Sequence, residues 1–229
     1  MKFLSFLKQQ RIKTLLIAVI GASIILQGCS VIGIRTTEEA PYTIISKFEN
    51  IEVRRYKKMM AVETFVQQEA FKDASNIAFK RLFEYITGEN ISANNIAMTA
   101  PVMAYPSNSG SGTGKKISMT SPVIAQPGKS IQKGWTLRFV LPEKFTIKTS
   151  PLPLNPLVTL VELPAKTIAA INYTGLWDDE KFQEQRYLLN QWLEKNSYIS
   201  VSTPAYAGYD PPWALPFLRR NEVMIDVQL

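Results

Sequence analysis

The sequence predicts an α+β domain built from a strand–helix–strand–strand unit that occurs twice, and three observations carry that prediction. Strand-like runs precede helical apolar spacing in each half of the chain. The two halves align at an offset of 107 to 108 residues, and the proline-rich joint SPLPLNP, Ser150–Pro156, lies between them. In that alignment Ala61-Val62-Glu63-Thr64 falls on Ala169-Ala170-Ile171-Asn172, and Tyr85-Ile86 falls on Trp192-Leu193. One such unit cannot hide its sheet face, whereas two packed together bury both.

The chain opens on a different kind of sequence. Lys2, Lys8, Arg11 and Lys13 precede a 12-residue apolar run, Leu15–Leu26, which suits a signal-peptide core and falls short of the ~20 residues of a spanning helix. Leu26-Gln27-Gly28-Cys29 then resembles a bacterial lipobox. The resemblance implies residues 1–28 as a cleaved lipoprotein signal peptide, a diacylglycerol on the Cys29 thiol and an amino terminus acylated by palmitate or a similar chain. Several acyl chains exceed the two signals that stable membrane anchoring needs. Residues 29–41 read as the lipidated tether and residues 42–229 as the domain. Ser30, where Asp would mark inner-membrane retention, points to the outer membrane, facing the periplasm, if the cell is Gram-negative. Cleavage leaves 22 Lys+Arg against 19 Asp+Glu, which is no nucleic-acid footprint. Cys29 is the only cysteine, so no disulfide framework stabilises the domain.

Along the domain, Tyr42–Phe48, Ile51–Tyr56 and Met59–Val66 read as strands, the last by strict alternation. Phe71, Ala74, Ala78, Leu82 and Tyr85 recur at helical spacing, and Gly88 stands where a left-handed cap closes a helix. The second half repeats the plan with strands at Val158–Leu163 and Thr167–Tyr173. Asp178 or Asp179 then caps a helix over Glu180–Lys195, whose stripe of Phe182, Leu189 and Leu193 is interrupted by Arg186. Val223, Ile225 and Val227 alternate in a final strand.

Between the two halves, IAMTAPV at Ile96–Val102 recurs as ISMTSPV at Ile117–Val123, each a strand broken by its proline. Two such segments make a hairpin whose tip is the Gly/Ser-rich Ser107–Gly114. This doublet, FEYITGEN at Phe83–Asn90, WTLRFVLP at Trp135–Pro142, AGYDPPW at Ala207–Trp213 and RRNEV at Arg219–Val223 together resemble the SOUL/haem-binding protein family. The resemblance implies an antiparallel, distorted eight-stranded barrel or pair of curved sheets with two helices. It also implies a haem or other tetrapyrrole lying flat against the first helix and the loop before the last strand. Carried onto this sequence, the ligand-binding residues are Phe79, Lys80 and Phe83 on the helix with Tyr209, Trp213, Phe217 and Arg219 in the loop. Arg81 and Arg220 are further cations for propionates, while Arg219-Arg220 also fits a solvated pair or a partner of Glu222.

The chain contains no histidine. That removes the commonest general base, metal ligand and axial haem ligand together, so a Ser-His-Asp or Cys-His hydrolase and a zinc site are excluded. Tyr85, Tyr206 and Tyr209 are the remaining phenol candidates for haem iron, and the Met98 and Met119 sulfurs, which also fit gap-filling in the sheet interior, are the thioether ones. The expected function is non-catalytic binding of a small hydrophobic ligand by a membrane-anchored protein. Two alternatives stand beside it: an envelope interaction protein using the same aromatic loop, and a small-molecule hydrolase pairing Glu63 or Glu162 with Tyr173. Phe79 and Phe83, one turn apart, also fit plain core packing.

Overall fold

A computed structural model of the chain describes residues 37–91, 114–128, 133–210 and 214–228. Cys29, the first copy of the doublet, nearly all of the Gly/Ser-rich bridge and Trp213 lie outside them. The first half contains β1 (Glu38–Glu39), β2 (Tyr42–Phe48), β3 (Ile51–Tyr56), β4 (Met59–Val66), α1 (Phe71–Thr87), β5 (Asn90–Ile91), β6 (Thr120–Ser121), β7 (Val123–Pro127) and β8 (Trp135–Val140). The second contains β9 (Leu152–Pro153), β10 (Thr159–Leu163), β11 (Lys166–Tyr173), α2 (Asp179–Lys195), β12 (Ile199–Ser200), β13 (Ala205–Gly208) and β14 (Asn221–Gln228).

One curled antiparallel sheet runs in the order β10-β4-β8-β7-β13-β14-β11-β3-β2, with β12 beside β14. Matching β3, β4, β7 and β8 with β10, β11, β13 and β14 and reversing the order returns the same eight-strand path. A pseudo-two-fold therefore passes through the β7–β13 pair, where Tyr206 faces Ala125. Each unit is a strand longer than the sequence predicted. Its first strand pairs with the other half: β3 lies on β11 and β10 lies on β4. Each half thus completes the other's sheet. Both helices run 17 residues, and their first residues, Phe71 and Asp179, stand 108 positions apart.

The sheet is covered on both faces. Val53, Val62, Leu137, Ile171, Val223 and Ile225 meet the buried sides of α1 and α2 in the larger core, while Tyr56, Val140, Ile168, Ala170, Ala207 and Met224 form a smaller core on the opposite face. All five predicted apolar positions of α1 are buried, and Gly88 closes the helix at φ 132°. Asp178 caps α2 by accepting from Lys181 N–H. In α2, Gln185 occupies the stripe position and Arg186 turns outward to solvent. The fold also starts ahead of Tyr42: β1 pairs with β6 and Ala40 is buried. These residues were expected to be tether. Of the second doublet copy, expected as a strand, only Thr120–Ser121 forms one before the break, which falls at Pro122 between β6 and β7 as predicted, while Ile117–Met119 lie in no strand.

Candidate ligand-binding site

The first helix packs over β4 and β8. Phe79 sits half-buried against Phe139, ring centroids 5.2 Å apart, and Phe83 stacks on Phe79 at 5.9 Å and 14°. Phe83 is 45% exposed, so the pair runs from the core edge out to solvent and offers a flat apolar wall. Lys80 lies exposed between them in sequence, with no ion pair among the described residues. Arg81 turns inward instead, where Nη1 donates to Thr64 Oγ1 and to the Phe65 carbonyl. It ties α1 to β4.

The loop before β14 diverges from that wall. Tyr209 is buried on the opposite face of the sheet and donates to Glu222 Oε2 at 2.8 Å. Phe217 stands 68% exposed on a single 3₁₀ turn, Pro216–Leu218, and Arg219 Nε donates to the Ala214 carbonyl. Of the seven residues that the family resemblance selected, the structure brings together Phe79, Lys80 and Phe83. It separates Tyr209 from them by the thickness of the sheet, and Trp213 lies outside the described residues.

Tyr209 belongs to an ionic network of which the sequence offered only the Arg220–Glu222 contact. Glu222, fully buried, accepts from Arg54 Nη1 and Nη2 at 2.7 and 2.8 Å and from Arg220 Nη2 and Nε at 2.8 and 3.0 Å. Glu52 bridges Arg54 to Lys47, and Glu39 holds Arg220 from the other side. Three cations and three anions alternate, so the chain of charges is balanced. Burial works against the charge on Arg54, and the Glu222 carboxylate overrides it, holding that guanidinium above its ordinary range. Burial, then the Glu222 charge, pushes the Tyr209 phenol well up, and burial pushes Tyr56 up to about 12. Arg220 is thereby committed inside the protein and not to a propionate.

A second missed feature is an aromatic cluster where the two helices begin. The Phe71 ring stacks on Tyr206 at 4.5 Å and meets Trp135 and Trp177 edge-on at 4.8 and 5.0 Å, while Phe182 stacks on Tyr206 from α2. A methyl group at Gly208 would touch the Trp177 indole, so the backbone passes close beneath it. The buried Tyr173 hydroxyl and Trp177 Nε1 have no hydrogen-bond partner among the described residues. The sequence shows the aromatics singly; only the pseudo-two-fold brings them together.

The three candidate phenols are all occupied: Tyr85 donates to the Pro151 carbonyl, Tyr206 to Asp179 Oδ1 and Tyr209 to Glu222, while Met119 packs partly buried against the larger core and Met98 lies outside the described residues. No metal-binding group of three or more His, Cys, Asp or Glu side chains occurs among the described residues. Glu63 pairs with Arg138 and the exposed Glu162 pairs with Lys58, so neither forms a hydrogen-bonded acid–base pair with Tyr173. The surface therefore suits stacking of a planar apolar face and offers no histidine and no free phenol among these three to bind a metal at its centre.

The family model for the SOUL heme-binding protein matches residues 37–112 and 104–226. The chain belongs to that family. Heme-binding protein 1 of Xenopus tropicalis is 25% identical over 188 residues, spanning 79% of this SOUL protein and 87% of the relative. Heme-binding protein 2 of Homo sapiens is 27% identical over 175 residues, 76% of each chain. Among solved structures, the EcmrR C-terminal domain superposes with TM-score 0.52 at 14% identity, over 82% of this chain and 98% of that one. A hydrolase from Listeria innocua superposes with TM-score 0.51 at 9% identity, over 80% and 94%. At such identities the likeness is one of fold alone, and it agrees with two helices on a curled antiparallel sheet.

Proposed function

We propose that this SOUL protein binds haem or a related tetrapyrrole without catalysis, against the Phe79–Phe83 wall of α1, while a lipid on Cys29 holds it in the bacterial envelope at the outer membrane. The observation that carries the ligand is Phe83, a large aromatic exposed on a helix and stacked parallel to a half-buried neighbour. Macrocycle faces bind by such offset stacking, and Lys80 stands ready for a propionate. The curated relatives named heme-binding proteins support the ligand class. The lipobox-like Leu26–Cys29 supports the anchor.

The test is a hemin titration of the purified full chain in non-ionic detergent, corrected against empty micelles. A saturable Soret change at micromolar hemin is expected, weakened about tenfold by Phe83→Ala, which removes one stacking partner. No saturable change sinks the ligand assignment. Cys29→Ala should abolish incorporation of labelled palmitate; unchanged labelling removes the anchor.

A further inference from the structure

The pseudo-two-fold leaves one strand of the main path unmatched. β2 has no counterpart in the other half, so the sheet extends by both β3 and β2 beyond β11, whereas only β10 lies beyond β4. The second helix packs over β11, β14 and β12. Beside its last turn the overhanging β2 leaves a cleft of about 430 Å³, within the ~300–1,000 Å³ range of small-molecule sites.

The walls of this cleft are preset. Ser197 takes a left-handed backbone at φ 60°, which turns the chain back so that Tyr198 stacks on Trp192 at 5.4 Å and 18°. Tyr198 N–H donates to the Leu193 carbonyl, and its hydroxyl lies 3.4 Å from Ser46 Oγ on β2. Phe48, at 55% exposure, faces the cleft from the strand side. The charges are of one sign: Lys47 and Lys195 line the cleft and no acidic residue does. Lys47 is steadied by Glu52, while Lys195 has no ion pair among the described residues. Aromatic faces recognise a planar ring, and the Lys195 ammonium, with Lys47 paired to Glu52 beside it, recognises negative charge at its rim.

We infer that this cleft is a second binding site, separate from the α1 wall, for a small planar aromatic molecule carrying acidic groups. The probe is pyranine, a planar pyrene trisulfonate that stays out of neutral micelles. Its fluorescence anisotropy is followed on titration with the full chain in non-ionic detergent. A saturable one-to-one rise is expected, weakened about tenfold by Trp192→Ala and by Lys195→Glu and unchanged by Phe83→Ala. Lys195 is exposed, so Lys195→Glu leaves the core intact and guards against misfolding of the indole variant. An anisotropy rise that fails to saturate, or that survives both cleft variants, overturns the inference. So does a loss caused by Phe83→Ala alone, which assigns the dye to the α1 wall instead. Because hemin binding is read separately, failure at one site leaves the other standing.

Discussion

Glu222 accepts from two guanidinium groups and a phenol while fully buried, so it holds β3, β14 and the end of β13 together. Neutralising it leaves Arg54, which is only 2% exposed, with Glu52 as its one remaining anion among the described residues. Glu222→Gln should therefore destabilise the protein by about 3–5 kcal/mol, read as a drop in the urea midpoint at unchanged slope. Tyr209→Phe removes one hydrogen bond to a charged group and should lower stability by a smaller amount, about 1.5–3 kcal/mol. Little of this was legible beforehand. Arg54 alternates with Glu52 and Tyr56 along β3, which reads as a solvent face, and only the second core on that face shows it to be interior. A strand covered on both sides loses the alternation that would separate buried charge from exposed charge. Phe83 was legible as an aromatic on the helix, but its exposure, which makes it a candidate for ligand and not for core, had to come from the packing of α1.

At the level of elements, helices were the easiest to read, since each needs only its own spacing and its own cap. Asp178 shows this: its carboxylate accepts from Lys181 N–H, while Asp179 is drawn away to the Tyr206 hydroxyl. Asp178→Ala should cost about 0.5–2 kcal/mol by freeing that N–H, measurable by urea unfolding. Within α1 the two sides of the helix should separate cleanly. Leu82→Ala, at a fully buried position, should cost about 2–5 kcal/mol without a specific effect on hemin affinity, whereas Phe83→Ala should shift hemin affinity with little change in unfolding midpoint. The bounds of β2, β3, β4, β10 and β11 were read to within a residue, whereas β7 begins where the predicted doublet strand ends and β13 was not read, and none of the partners was. β3 and β4 follow each other in sequence but pair with β11 and with β8 and β10, and no local pattern records an exchange between distant halves.

For the molecule as a whole, the phenols set the response to alkali. Burial is the leading cause that raises Tyr56, Tyr85, Tyr173, Tyr206 and Tyr209 above their ordinary value of 10.0, with Asp179 adding to it at Tyr206 and Glu222 at Tyr209. In the unfolded chain these groups release their protons near pH 10, while the folded protein still holds them. The unfolded state then binds fewer protons, so stability falls as pH rises. The contribution is complete below pH 10 and is withdrawn as pH climbs toward the folded values, about 12 for Tyr56. These tyrosines lie on both faces of the sheet, Tyr56 and Tyr209 in the smaller core and Tyr85, Tyr173 and Tyr206 in the larger, so neither half escapes. Urea midpoints measured from pH 9 upward should hold flat to about pH 10 and then decline steeply. Phenolate absorbance of the buried set should appear together with the loss of circular dichroism, in one transition. Ionisation of all nine tyrosines near pH 10 with the fold intact would show that the two cores admit water and do not shield their hydroxyls.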